Sequence, residues 1–385
     1  MPVVADVSFR LEAQGVGEFS CHWIDTEAQW QEAAAFLTNA PAVAIDTEFF
    51  REHTYFAELG LVQLAVPGQV FLFDPLALDP AKHLAPLLAS ADTVKVFHSA
   101  SEDLQVLKHV AGPVVGMFDC QVAASFVGLG DGLGLHRLVE TLFDVTLDKE
   151  ATRSDWLARP LTPTQLHYAA LDTAYLLPAL DILQAQLVQR GMAQWNTQEN
   201  DRRLMAAAED IDFEHAFRRI RSHERLTGPE QHRLQRLAAW REETAKERNM
   251  PRSRVAKDGQ LVALAKLRTL RRAALHECGL HPKTIRQFGD ELVGLVQRSK
   301  VAHDAQPLSA RVDKELSAQL FGPLQAAVEN KAGALGISAQ LVAPRRDLDA
   351  VLLAFQQANR SIEHVVLPAK LCGWRHDLLM DALRC

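Results

Sequence analysis

Val43-Ala-Ile-Asp-Thr-Glu-Phe49 reads as a short apolar strand with two acids set into it. Successive strand side chains alternate faces, so Asp46 and Glu48 share one face. The approach through Val43, Ala44 and Ile45 is apolar, which predicts burial. Two carboxylates on one buried face repel each other. Each is driven toward its neutral form unless a cation compensates. Hard oxygen ligands of this kind suit Mg²⁺ or Mn²⁺. Alone, the pair reads more simply as a strand end with two solvated acids, so its neighbours decide its meaning.

Working outward, Leu59–Val66 and Val70–Phe73 are strand-like runs joined by Pro67-Gly68, which predicts a hairpin. Val94-Lys-Val-Phe97 is another buried strand, leading into a helix over 101–109 with Ser101 as its expected N-cap. Further helices are predicted over 119–128, 134–143 and 163–190. Thr162-Pro163 opens the last, with proline in its first turn, and Pro178 is expected to kink or divide it. Strands followed by interleaved helices imply a mixed sheet flanked by helices.

Beyond residue 201 the strand signals fade. Leu226-Thr-Gly-Pro-Glu230 opens a helix, and Leu234, Leu237, Ala238 and Arg241 follow at helical spacing. Breaks at Asn249-Met-Pro251 and Gly279-Leu-His-Pro282 separate it from helices beginning near Leu261 and Thr284. Residues 299–308 read as a linker to a second helical segment, 309–385.

The chain has 385 residues, 48% hydrophobic and 23% charged, which suits two or three globular domains. It has no apolar run long enough for a membrane span and no signal-peptide pattern at Met1-Pro-Val-Val-Ala-Asp6. Cysteines 21, 120, 278, 372 and 385 form no CxxC pair. They read as reduced thiols of a cytoplasmic protein rather than disulfides or a zinc site. The net charge of −7 hides an asymmetry: −16 over 1–201, +9 over 202–300 and zero over 301–385. An acidic block joined to a basic one fits a metal-dependent catalytic domain tethered to a polyanion-binding domain. A solvated basic helical surface explains the second block equally well.

Two further acids complete a constellation. Asp103 falls in the first turn after the 94–97 strand, where an acid also satisfies the helix dipole. Its neighbour Glu102 competes for the same role. In Gln165-Leu-His-Tyr-Ala-Ala-Leu-Asp172, helical geometry puts Tyr168 and Asp172 about 40° apart on one face.

In order, these motifs resemble the three exonuclease motifs of the DEDD superfamily, in its tyrosine-containing branch. Phe97-His-Ser-Ala-Ser-Glu-Asp-Leu104, Phe118-Asp-Cys-Gln-Val-Ala-Ala124 and Thr152-Arg-Ser-Asp-Trp-Leu-Ala-Arg-Pro-Leu161 are similar to signatures of the ribonuclease D family. The bundle containing Trp240-Arg241 resembles an HRDC module. The segment with Ala343-Pro-Arg-Arg-Asp-Leu348 and Gly373-Trp-Arg375 resembles a second, divergent one. The resemblance covers nearly the whole chain. It implies an α/β ribonuclease H-like exonuclease domain over 1–205, an HRDC domain over 210–298 and a second HRDC-like helical bundle over 309–385.

The resemblance also implies an activity. Two divalent ions, Mg²⁺ or Mn²⁺, would be held by Asp46, Glu48, Asp103 and Asp172, and would release nucleoside 5′-monophosphates one at a time from RNA. Asp46 would bridge both ions, Glu48 and Asp172 would serve the ion that activates water, and Asp103 the other. A tyrosine hydroxyl, with an ordinary pKa of about 10, is a poor base, so Tyr168 is assigned to orienting the water. The sister branch carries a histidine five residues before the last aspartate, and His167 has that offset here. On a helix it points about 140° from Asp172, which favours Tyr168. Phe49, Gln63, Ser154 and Trp156 are candidate contacts for the terminal nucleotide, with a core anchor as the plainer reading of Trp156. His98 reads as a satisfied strand-end histidine.

The expected partner is RNA with a single-stranded 3′ end, tRNA precursors above all. Arg218, Arg219, Arg221, Arg225, Arg252, Arg254, Lys257, Arg271 and Arg272 are the candidate phosphate contacts. A Werner-type DNA exonuclease shares the motifs. A non-catalytic nucleic-acid scaffold is the alternative from another class, and the retention of all four acids and the tyrosine argues against it.

Overall fold

In the computed structural model, β3 (Ala42–Phe50) lies between an antiparallel neighbour, β4 (Glu58–Val66), and a parallel one, β6 (Val94–Phe97). Residues 8–147, 154–267, 271–298, 302 and 304–384 are described. Residues 1–7, 148–153 (Thr152-Arg153 among them), 268–270, Cys385 and part of the 299–308 linker lie outside them. Val43, Ala44 and Ile45 are wholly buried, as expected of a strand inside a sheet. The full order is β1-β2-β5-β4-β3-β6-β7, with β1 (Ser8–Ala13), β2 (Gly17–Ile24), β5 (Gln69–Phe73) and β7 (Met117–Asp119). It is a mixed sheet: β2 pairs parallel with β5, and β6 parallel with β7.

The Pro67-Gly68 hairpin forms between Val66 and Gln69, with Gly68 at φ +74°, a conformation open to glycine at little cost. β1, β2 and β7 have no counterpart in the sequence reading. β7 is three residues long and too short to show a period, and it forms because β6 offers it a parallel edge.

The helix expected over 163–190 is two helices, Pro163–Ala174 and Leu176–Gln189. Pro178 stands in the first turn of the second, where its missing N–H costs no hydrogen bond. The helix Ser101–Val110 begins one residue earlier than a Ser101 cap requires. Ala100 occupies the cap position and makes no side-chain bond. Asp119 takes that task from a distance, accepting from Ser99 N at 2.9 Å and Ala100 N at 3.1 Å.

The described residues form two compact units. The first holds residues up to Phe50, Glu58–Glu209 and everything from Asp313 onward. The second holds Arg51–Ala57 and Asp210–Val312. In the first unit the late helical segment packs on the helix Ala193–Ala208. Trp374 stacks on Trp195 with ring centroids 5.3 Å apart, and Arg375 binds Glu199 at 2.6 Å. The second unit is a helical bundle led by Gly228–Glu247, whose core includes Leu234, Leu237, Trp240, Leu261, Phe288 and Leu292. Within it, Tyr55 donates to the buried Glu242 at 3.1 Å. No described helix is long and apolar enough to cross a membrane.

Candidate active site

Asp46 and Glu48 leave β3 on the same face. Asp172 comes from the helix Pro163–Ala174, which packs across β3, β4 and β5. One carboxylate oxygen of each of the three lies within 4.8 Å of the others. The start of that helix is pinned: Thr162 N donates to Gln165 Oε1 at 3.0 Å, and Pro163 sets the first turn.

Asp103 stands outside that trio but beside it. The residue between the two strand acids, Thr47, donates its hydroxyl to Asp103 Oδ1 at 2.5 Å. Asp103 is 7% exposed, whereas Glu102 faces solvent, which decides between the two neighbours.

Electrostatics tie the four together. Burial pushes the Asp46 carboxyl well above the usual range, and the charges of Asp103, Asp172 and Glu48 push it further. Burial, with Asp172 and Asp103, raises Glu48 to about 9. Burial raises Asp172 to about 7 against a hydrogen bond from Tyr168 that lowers it. Burial raises Asp103 to about 6 against the Thr47 hydroxyl. Without a cation the cluster holds protons near neutrality; a divalent ion reverses that balance. The donor set is all carboxylate oxygen and closely spaced, which fits a hard divalent cation.

Tyr168 is half-buried and bonds Asp172, while His167 on the same helix is exposed. The Tyr168 ring lies 6.2 Å from that of Trp156 at an interplanar angle of 37°. Trp156 is buried, and its position is fixed by β4 and by Arg159. Gly60 leaves no room for a Cβ, which would meet Trp156 O at 2.6 Å. Arg159 donates to Trp156 O at 2.9 Å, to Gly60 O at 2.7 Å and to both oxygens of buried Asp74.

The remaining candidates are spread out. Phe49 is half-buried just past a bulge between Glu48 and Phe49, and Ser154 is half-buried. Gln63 sits directly across β4 from Asp46 but is 0% exposed, with both amide atoms lacking a partner. It is the same-face neighbour of Asp46 across the strand pair, closed off from solvent. His98 turns Nε2 to Leu133 O at 2.8 Å. In the second unit all nine basic candidates are exposed. Arg252 pairs with Glu242, Arg254 bonds His53, and Arg272 pairs with Asp290.

Three contributors escaped the sequence reading: Thr47, the Asp74–Arg159 pair and Asp119. Arg159 lies inside the quoted 152–161 motif, but its partner is 85 positions away. Pairings of that range have no local signature.

Comparison with known proteins adds a family context. A 3′-5′ exonuclease domain family matches residues 21–188, and the HRDC domain family matches residues 230–296. Ribonuclease D of Pseudomonas paraeruginosa is 33% identical, over 94% of this chain and 96% of its own. Ribonuclease D of Escherichia coli is 33% identical, over 89% and 92%. The crystal structure of Escherichia coli RNase D, described as an exoribonuclease involved in structured RNA processing, matches with a TM-score of 0.85. It is 32% identical and covers 94% of this chain and 97% of that one.

Proposed function

The chain belongs to the ribonuclease D family of 3′-5′ exoribonucleases, and from that premise we propose that it trims the 3′ ends of tRNA precursors and other structured RNA. In this reading Asp46, Glu48, Asp103 and Asp172 would hold two divalent ions, Mg²⁺ or Mn²⁺. The observation that carries it is the trio of carboxylate oxygens within 4.8 Å of one another, with Asp103 alongside.

Divalent ions, when bound, lower the pKa of water and neutralise charge on the phosphate. The chain's own groups do the rest. The four carboxylates fix where those charges sit. Tyr168 donates its hydroxyl hydrogen bond to Asp172, so it meets water as an acceptor and orders the nucleophile without taking its proton. Trp156 keeps the Tyr168 ring in place. Phe49 and Ser154 flank the terminal nucleotide, and Gln63 supports Asp46 from the neighbouring strand.

The basic second unit supplies the longer-range attraction. Exposed Arg218, Arg219, Arg221, Arg225 and Arg271 are proposed to meet phosphates in a salt-dependent, sequence-blind way. The segment 309–385 is read as a second HRDC-like module, an assignment supported by its helices Lys314–Leu335, Arg345–Gln357 and Trp374–Arg384. RNA as substrate and the buried free thiols of Cys21 and Cys120 support a cytoplasmic location.

The test is degradation of a 3′-tailed tRNA with Mg²⁺ by the parent and by Asp46→Ala. The parent is expected to release 5′-monophosphates singly and the variant to release none. Equal activity sinks the assigned site.

A further inference from the structure

Asp119 ends β7 and is wholly buried. Its carboxylate accepts from Ser99 N at 2.9 Å, Ala100 N at 3.1 Å and Gln121 N at 2.9 Å. One anion thus closes the starts of two helices, Ser101–Val110 and Cys120–Phe126. Ser99 has φ +65°, a left-handed conformation uncommon for serine. That turn aims two successive N–H groups at the same carboxylate, a backbone anion nest. Asp103 lies in the first turn beyond it. With no side-chain cap of its own, this turn is held by Asp119.

A buried carboxylate needs a counter-charge. Arg203 supplies it at 3.5 Å, and the same guanidinium reaches Glu199 Oε1 at 3.4 Å. Asn200, between them on the helix, accepts from Asp119 N at 3.2 Å. Glu199 is 1% exposed and also binds Arg202 and Arg375 at 2.6 Å each. Arg375 is anchored in the late segment, donating to Leu341 O and Val342 O at 3.1 Å. An unbroken line of charge contacts therefore runs from that segment to the turn that aims Asp103.

We infer that Asp119 and Arg203 are positioning residues for Asp103, and that the segment from Asp313 onward sets this position through Arg375 and Glu199. The inference rests on the proposed metal role of Asp103. Groups behind metal ligands govern affinity by fixing ligand orientation. The late helical segment thus becomes part of the metal site without touching it.

The test uses the full chain, Mn²⁺ calorimetry and kinetics on a single-stranded 3′ end. Arg203→Met is expected to weaken Mn²⁺ binding about tenfold and to lower kcat while leaving KM for RNA unchanged. Arg203→Lys should recover part of the loss, and Arg375→Met should shift binding the same way by less. If Arg203→Met does not fold, Arg203→Lys carries the test, with a smaller loss expected. Folded Arg203 variants that bind Mn²⁺ as the parent does overturn the inference, whatever their melting temperature. Asp103→Asn separates the underlying reading: parent-like Mn²⁺ binding there refutes the role of Asp103 itself.

Discussion

Thr47 and Asp103, 56 positions apart, are joined by a 2.5 Å hydrogen bond from hydroxyl to carboxylate. The bond stabilises the charged carboxylate and lowers its pKa. Thr47→Val removes it with little change of shape. Asp103 must be charged to hold a cation, so its acid limb should move to higher pH. A pH–rate profile at saturating RNA is expected to show a larger loss near pH 6 than near pH 9. A uniform loss across pH contradicts the role given to this bond.

Metal binding should follow pH in the same sense. Asp172 and Glu48, raised to about 7 and about 9 in the ion-free protein, bind protons that a cation must displace. Acids with raised folded pKa values lose the protein stability as pH climbs through those values. Mg²⁺ or Mn²⁺ should therefore raise the melting temperature more at pH 9 than at pH 6, with proton release on binding. Thermal scans with and without the ion check this; an equal shift at both pH values counts against it.

The neighbours Tyr168 and His167 make opposite predictions. Tyr168 bonds Asp172 and His167 is exposed. Tyr168→Phe should cost about 10²-fold in kcat, as misplacing a reactant does, and His167→Ala should leave kcat close to the parent's. An inactive His167→Ala beside an active Tyr168→Phe reverses the assignment.

Gly60 allows the close approach of Trp156. A Cβ there meets a backbone oxygen at 2.6 Å, which no side-chain rotation relieves. Gly60→Ala should cost about 1–3 kcal/mol, as overpacking does, and lower activity by displacing Trp156 from Tyr168. Urea denaturation and single-turnover rates measure the two effects; an unchanged rate detaches Trp156 from the site.

Glu199 makes an acid-stability prediction. Its arginine partners outweigh burial and hold the carboxyl at about 2, below its ordinary 4.5. A depressed folded pKa contributes stability that is present above pH 4.5 and lost as pH falls toward 2. The shift corresponds to about 3 kcal/mol. Glu199→Gln should be less stable at pH 7 and converge on the parent at low pH. Parallel denaturation curves across pH 2–7 provide the reading, and a constant gap contradicts it.

Much of the site was legible because its signals are local. Alternation put Asp46 and Glu48 on one face, helical spacing paired Tyr168 with Asp172, and Pro67-Gly68 announced the hairpin. What escaped depends on distant partners. Ser101 looked like a cap because a serine opening a helix usually is one; here Asp119 already satisfies the turn. Gln63 reads as a nucleotide contact by its motif, and only the sheet reveals that it is the buried cross-strand neighbour of Asp46. Nothing in the composition of 313–384 tells that Trp374 and Arg375 seat themselves on Trp195 and Glu199.

That seating has a consequence for birth of the protein on the ribosome. Arg375 lies 176 positions after Glu199, and Asp210–Val312, all of the second unit except Arg51–Ala57, is synthesised between them. During translation, domains generally fold in order of emergence. Here the nuclease scaffold emerges first and must wait, with Glu199 lacking its last partner, while the basic bundle is made. The nascent enzyme passes through a stage when its basic bundle is present but its first unit is unfinished.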